Sequence, residues 1–350
     1  MENQLLYFVY GGSESYRYEA KFSILSALRH LRDDAGISIS VITDRPQDFT
    51  GWPVRIKPIS IAELAGWEGE YKYVHRKKAC AILSALHDAK RTVFIDSDTF
   101  FLKSPVFLFE RMNDGAYLVD EWEACWREAK LRPEFAALCK DLESRNEIPD
   151  QDLKLYNSGV CGVYDTDEAL MLESIGYIDA WKDHCAKLHT IEQIALSFAL
   201  KGKKVYEAKD CVRHYFSTKK YFHAMLGLFF SRHGERFRAD LIRLSSEVPQ
   251  SRPYPRVASR LWVKWKAKSF KKSDFRLVRA LLYGCLVPRT PYALASRHVW
   301  WESALKHIKG GGYELSFRHG NWPDSLPKPL FEQDVSTAVS YIKYKLENDC

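Results

Sequence analysis

Arg91-Thr92-Val93-Phe94-Ile95-Asp96-Ser97-Asp98-Thr99-Phe100-Phe101-Leu102-Lys103-Ser104-Pro105 is the stretch that decides how the chain folds. Val93, Phe94 and Ile95 are apolar and β-prone, the pattern of a strand buried on both faces inside an α/β sheet rather than an alternating surface strand. Asp96 and Asp98 follow where that strand emerges, and in open α/β sheets ligands sit in the crevice beyond the carboxyl ends of the strands. Asp-x-Asp triplets are common in solvated loops. Here the apolar strand before the triplet, the Phe100-Phe101-Leu102 run after it and the Ser104-Pro105 helix start place it at a buried edge instead. Two carboxylates this close repel, and are costly to half bury unless a proton or a divalent cation lies between them. A hard cation with oxygen ligands, Mg²⁺ or Mn²⁺, is the expected occupant.

Upstream, Leu5 to Val9 reads as a first buried strand broken at Gly11-Gly12, Arg17 to Leu31 as a helix, and Ile37 to Ile42 as a second strand ending at Thr43-Asp44. This is a right-handed parallel strand-helix-strand unit, with the glycine loop and Asp44 at one sheet edge. No G-x-G-x-x-G and no G-x-x-x-x-G-K-S/T is present, which argues against a dinucleotide-binding Rossmann enzyme and a P-loop NTPase. Tyr71 to Leu86 reads as a helix carrying Lys72, His75, Arg76, Lys77 and Lys78. Such a cluster is usually a solvated face. Just ahead of an acidic loop, Arg76 or Lys78 could instead pair with a diphosphate.

Downstream, Ala116 to Val119 reads as a strand ending at Asp120-Glu121, and Trp122 to Arg145 as mixed helix broken at Pro133. Leu155 to Val163 reads as one apolar strand interrupted by Asn157-Ser158-Gly159, where a glycine marks a bulge or a close approach. Helices are expected over Asp167–Ile175 and Thr190–Leu200, and Thr190 with Gln193 fits a capping box. His214 lies among aromatics in Cys211 to Phe222, where a lone histidine is more often packed than ligating.

The 350 residues, 46% hydrophobic, suffice for one large α/β domain and a smaller appendage. A net charge of +7 suits an anionic partner, whether nucleotide, lipid headgroup or nucleic acid. Cys80, Cys125, Cys139, Cys161, Cys185, Cys211, Cys285 and Cys350 form no C-x-x-C pair, as expected of buried or free thiols in a reducing compartment. Met1-Glu2-Asn3-Gln4 lacks a basic leader and no apolar run is long enough to span a bilayer. The expected location is the cytoplasm, peripheral at most on the inner face of the membrane.

Four of these pieces, taken in order, resemble glycosyltransferase family 8, the retaining GT-A enzymes that include bacterial lipopolysaccharide galactosyl- and glucosyltransferases. They are the D-x-D at Asp96 and Asp98, an N-[AS]-G-V strand at Asn157-Ser158-Gly159-Val160, an acid-Gln pair at Glu192-Gln193, and an H-F-x-G-x-x-K-P-W-like tail at His214 to Phe222. In the tail His214, Tyr215, Lys220 and Phe222 keep the spacing, while Ser217 replaces the usual glycine and Tyr221 the usual proline. Glu192 replaces the usual aspartate, and no aspartate follows the first strand. The resemblance covers residues 4 to about 222.

The resemblance implies a GT-A (Rossmann-like) α/β fold over 1–222, a mixed, mainly parallel sheet flanked by helices, with a helical basic region at 223–350. It implies metal-dependent transfer of a hexose, with retention, from a nucleotide-diphosphate sugar, a UDP-sugar first among them. The acceptor would be a saccharide or lipid-linked sugar of a bacterial surface polysaccharide. Asp96, Asp98 and His214 would hold Mn²⁺ or Mg²⁺, and Lys220 would meet the departing phosphate. Gln193 would sit near the anomeric carbon, Asn157 and Gly159 would border the donor sugar, and Asp120 or Glu192 would hold its hydroxyls. Beside these, Tyr10, Gly11, Asp44 and Ser97 are read as candidates for the nucleotide pocket, with Arg76 or Lys78 on its phosphates.

Residues 223–350 interleave cations and aromatics, among them Arg256, Arg260, Trp262, Lys264, Trp265, Lys266, Lys268, Lys271, Lys272, Arg276, Arg279, Trp300 and Trp301. The pattern fits an amphipathic segment on an anionic membrane surface, a nucleic-acid surface, or solvated helices with tryptophans turned inward. Alongside a transferase it favours a membrane contact that delivers a lipid-linked acceptor, with no nucleic-acid partner expected. Two rivals stand beside this reading. A nucleotidyltransferase would carry a basic glycine-rich loop after the first strand, whereas Tyr10-Gly11-Gly12-Ser13-Glu14 has no cation. A non-catalytic membrane or nucleic-acid binding protein would not explain the ordered acidic, amide and histidine motifs.

Overall fold

The structure, a computed structural model, describes residues 1–31, 36–184, 188–329 and 331–348. The chain divides into two compact units, Met1–Tyr215 with Arg236–Ser245, and Phe216–Glu235 with Ser246–Cys350. The first break therefore falls a few residues before the expected 222/223 boundary, and a ten-residue segment returns to the first unit.

The first unit contains β1 (Asn3–Val9), β2 (Ile37–Thr43), β3 (Arg55–Pro58), β4 (Arg91–Ile95), β5 (Thr99–Phe101), β6 (Tyr117–Val119), β7 (Trp122–Cys125), β8 (Lys154–Tyr156), β9 (Val160–Tyr164), β10 (Val205–Glu207) and β11 (Val212–His214). Seven strands form one sheet in the order β10-β6-β9-β4-β1-β2-β3, parallel throughout except for β9, which runs against both β4 and β6. β4 is central, and Val93, Phe94 and Ile95 are buried on both faces as their sequence requires. Helices Glu14–His30, Arg76–Ser84, Glu168–Ala180 and Ile191–Ala199 join this α/β unit.

The single reversed strand positions the site. Because β9 pairs antiparallel with β4, in the register Ile95↔Val160, its first residues lie at the carboxyl end of β4. The Asp96 N–H donates to the Gly159 carbonyl at 2.8 Å, and the Asp120 N–H at the end of β6 donates to the Asn157 carbonyl at 3.1 Å. A separate antiparallel pair, β5 with β11, sets Thr99 opposite His214. Rims that are distant in sequence are thereby tied by backbone bonds.

Three expected elements change. The Tyr71–Leu86 helix contracts to Arg76–Ser84, with Lys72 at φ 52° and outside it, because Gly69 and Lys72 make a turn with left-handed backbone. The Leu155–Val163 run is two strands, not one: β8 pairs with β7 in a small sheet, and β9 joins the main sheet after the Asn157-Ser158-Gly159 turn. β7 itself lies in the stretch expected to be mixed helix, which keeps short helices only at Trp126–Ala129 and Ala136–Ser144. Six described cysteines are unpaired, five of them buried; Cys185 and Cys350 lie outside the described residues.

The second unit is helical among the described residues, with Lys219–His233, Val257–Ala267, Lys272–Leu286, Pro291–Ser296, His298–Ile308, Glu314–Arg318 and Glu332–Asn348. Its core packs Leu281, Ala304, Ile308, Ile342 and Trp301, and the Trp301 indole donates to the Leu281 carbonyl at 3.2 Å. Trp300 and Trp301 are thus core residues, whereas Trp265 is 64% exposed.

Gly162 in β9 shows why a glycine interrupts this strand: a Cβ there would lie 2.8 Å from the Leu118 Cβ across β6. Gly162→Ala is expected to destabilise the first unit by about 1–3 kcal/mol through overpacking. A lowered urea midpoint at constant slope checks this, and an unchanged midpoint would contradict it.

Candidate active site

Asp96 and Asp98 follow β4, Asp120 follows β6, and His214 ends β11. One ligand atom from each of Asp96, Asp98 and His214 lies within 4.8 Å of the others, among the described residues. His214 Nε2 is 3.3 Å from Asp98 Oδ1, and His214 Nδ1 is 2.6 Å from Asp120 Oδ2. Asp98 and Asp120 are buried, Asp96 less so. Burial pulls the His214 imidazolium down, but hydrogen bonds to Asp120 and Asp98 and the charges of Asp98 and Asp96 outweigh it, pushing its pKa up to about 10.

The donor set fits a divalent cation. Ligand bonds of about 2.1 Å put donors of one octahedral ion roughly 3–4.2 Å apart, so this cluster needs only a small closure. With its Nδ1–H donating to the Asp120 carboxylate, the imidazole presents Nε2 toward Asp98, the arrangement that orients a ligating histidine. Imidazole beside carboxylates suits Mn²⁺ better than Mg²⁺.

Gly159 makes the cluster sterically feasible. A Cβ at this position would lie 2.3 Å from His214 Nδ1 and 3.0 Å from Asp120 Oδ2. The clearance expected for a sugar is filled by the imidazole. Asn157 is buried with its amide engaged within the protein: Oδ1 accepts from the Gly159 N–H at 2.9 Å, and Nδ2 donates to Glu123 Oε1 at 2.9 Å. It shapes the turn that carries Gly159.

Lys78 does not extend toward open solvent as a phosphate partner would. Its Nζ donates to Asp96 Oδ2 at 2.9 Å and to Ser158 Oγ at 3.1 Å. Burial disfavours its charge, yet Asp96 and Glu192 hold its pKa above the ordinary lysine value. Glu192 is buried, its acid pushed up by desolvation against the opposing charge of Lys78. It accepts from the Tyr73 hydroxyl at 3.0 Å and from Ser158 Oγ at 3.4 Å. Arg76 is likewise engaged, donating through Nε and Nη2 to the two oxygens of Asp179 at 2.7 and 2.9 Å.

Around the first strand, Asp44 accepts from the Gly11 N–H through both oxygens at 3.2–3.3 Å, fixing a loop in which Gly11 has φ 79°. Tyr10 stacks on Phe8 with Lys77 Nζ 4.5 Å from its ring centroid. Ser97 Oγ donates to the buried Glu19 at 3.2 Å. Thr190 makes no side-chain cap, so the expected capping box is absent. The Gln193 carbonyl oxygen Oε1 is buried without a hydrogen-bond partner. Lys220 belongs to the second unit, where Nζ donates to Glu302 at 2.8 Å.

Sequence reading missed Glu19, Tyr73, Glu123 and Ser158 as partners of these groups. Ser158 was legible as the middle of the N-S-G turn; the others sit on segments with no motif and reach the site only through tertiary packing.

No protein-family model and no curated protein matches the chain. Similar solved structures include mouse xyloside xylosyltransferase 1 in its apo form, at 12% identity over 59% of this chain and 85% of that one. They also include the galactosyltransferase LgtC with donor and acceptor sugar analogues, at 10% identity over 71% and 84%. A third is the bifunctional glycosyltransferase WbbM, at 11% identity over 71% of this chain and 52% of that one. Each has a TM-score of 0.39, a likeness too low to carry weight beyond the geometry above.

Asp120→Asn removes the carboxylate that fixes the His214 tautomer. Mn²⁺ affinity, followed by titration calorimetry, is expected to fall about 10–100-fold with the fold intact by circular dichroism. Unchanged affinity would remove Asp120 from the site's design.

Proposed function

We propose that the chain is a metal-dependent glycosyltransferase that moves a hexose from a nucleotide-diphosphate sugar, with retention, to a saccharide or lipid-linked acceptor of a bacterial surface polysaccharide. The observation that carries this is the convergence of Asp96, Asp98 and His214 on one point at the sheet rim, with His214 oriented by Asp120. In such a transfer the diphosphate leaving group gains negative charge as the glycosidic bond breaks, and a bound Mn²⁺ would supply the stabilisation.

The chain's own residues do the rest. Asp96, Asp98 and His214 hold the ion. Gly159 leaves space for the imidazole, while Lys78 neutralises Asp96 and Glu192 so that the buried acids coexist. Gln193 is assigned to the anomeric side of the donor sugar, for which its carbonyl oxygen, buried without a partner, must first be uncovered. The side chains of Tyr10, Asp44 and Ser97 shape the nucleotide end.

The second unit offers a membrane contact that suits a lipid-linked acceptor. Along helix Val257–Ala267, Val257, Leu261 and Trp265 are 60–64% exposed at four-residue spacing, a single apolar ridge. Arg256, Arg260, Lys264 and Lys268 form an exposed basic ridge one residue behind it. An apolar ridge bordered by cations complements an anionic bilayer surface. No helix among the described residues is long and apolar enough to cross a membrane.

Turnover of a panel of nucleotide sugars with Mn²⁺ is expected to release nucleoside diphosphate from at least one, yielding a product of retained anomeric configuration. Asp98→Asn should abolish both turnover and Mn²⁺-dependent nucleotide binding. Normal Mn²⁺-dependent turnover in that variant would overturn the ligand assignment, and an inverted product the stereochemistry. Separately, the protein should sediment with phosphatidylglycerol vesicles at low salt, and Leu261→Ser with Trp265→Ser should weaken this by about tenfold or more. Equal sedimentation of the double variant would refute the membrane ridge.

A further inference from the structure

The second unit holds a cavity of about 500 Å³ lined, among the described residues, by six permanent cations, Lys219, Lys220, Arg252, Arg276, Arg279 and Lys306. Among the described residues no carboxylate lines it. The hydroxyls of Ser217, Thr218 and Ser303 are part of the same wall. The size falls in the range of small-molecule sites, about 300–1,000 Å³, and exceeds what an inorganic anion alone would fill.

Two features distinguish this cavity from a solvated basic face. First, the cations come from four separate segments, the start of helix Lys219–His233, the loop at Arg252, helix Lys272–Leu286 and helix His298–Ile308, so their convergence is a product of folding. Like charges gathered around one concavity repel, and low-dielectric walls focus the resulting field. Glu302 offsets Lys220, but among the described residues no carboxylate pairs with Arg276, Arg279 or Lys306. Second, Arg252 is held in place. Its guanidinium lies 4.7 Å from the Tyr254 ring centroid, 5.1 Å from Trp300 and 5.8 Å from Tyr221, and its Nε donates to the Tyr254 hydroxyl at 2.5 Å. A guanidinium fixed by aromatic stacking is a pre-organised fork for an oxyanion, so little freedom is lost on binding.

We propose that this cavity is a binding site for a phosphorylated organic ligand, a phosphate group carried on a sugar or lipid headgroup, seated between Arg252, Arg276 and Lys306. The phosphate oxygens accept from the guanidinium and ammonium groups, and the remaining volume takes the polar body of the ligand against the Ser and Thr hydroxyls. The site lies within the second unit, needs no metal and is seated on Arg252, Arg276 and Lys306, none of which the transferase reading uses, while Lys220 in its wall is paired with Glu302.

The test uses the full chain in EDTA at low salt, where a metal-dependent diphosphate site is silent. The probes are glucose 1-phosphate by calorimetry and phosphatidylglycerol vesicles against phosphatidylcholine vesicles by sedimentation, for wild type and for Arg276→Gln with Lys306→Gln. Both substituted residues are exposed, so the fold should persist, and circular dichroism checks this. The expected result is binding of glucose 1-phosphate or of the anionic vesicles, weakened about tenfold or more by the paired substitution. Asp98→Asn should leave it unchanged. Response to glucose 1-phosphate assigns a soluble phosphosugar, and vesicle binding that persists in Leu261→Ser with Trp265→Ser but is lost with the paired cavity substitution assigns a lipid headgroup. No binding of either probe, or binding unaffected by the paired substitution, would overturn the proposal.

Discussion

The site depends on one imidazole held between two buried carboxylates. His214 gives one nitrogen to Asp120 and turns the other toward Asp98, and each of the three residues comes from a different strand end. A buried imidazole between two acids is stable only if both nitrogens are engaged and the geometry is tight. That geometry needs the absence of a side chain at Gly159, which in turn needs the Asn157 amide to hold the turn. The reversal of β9 places that turn at the carboxyl end of β4, so topology, turn chemistry and a missing Cβ act on the same few ångströms.

Much of the sheet was legible because its strands are rich in apolar, β-prone residues, as in β1, β2, β4 and β6. The D-x-D rim was legible for the same reason, since an acid pair after a fully buried strand has few innocuous explanations. What escaped was the division of Leu155–Val163 between two sheets. Both halves are short and β-prone, and local periodicity cannot say which partner a strand will choose. β7 escaped similarly, because Trp122 to Cys125 finds its strand conformation only by pairing with β8.

Individual roles were less legible than positions. Asp120, Asn157, Gly159, Lys78 and Arg76 lie where the motifs imply, near the rim or on the helix before it, but their polar groups face one another. Asn157 holds a turn, Asp120 holds His214, Lys78 neutralises Asp96, and Arg76 clamps Asp179. Sequence spacing reports that a polar residue is needed at a place. It does not report whether the partner is a ligand or a neighbouring side chain, because both demand the same donor or acceptor.

Charge separates the two units more sharply than the net +7 suggests. In the first, the acids Asp96, Asp98, Asp120 and Glu192 gather at one sheet rim, balanced within the fold by Lys78 and His214. In the second, cations gather around one cavity and along one helix ridge. Such segregation costs stability in each unit through repulsion, and a fold selected for stability alone would intersperse the signs. The acidic rim calls for a cation, and the basic cavity and ridge call for anions. The separation leaves Arg276, Arg279 and Lys306 around the second unit's cavity without a carboxylate partner among the described residues, whereas Lys220 is paired with Glu302.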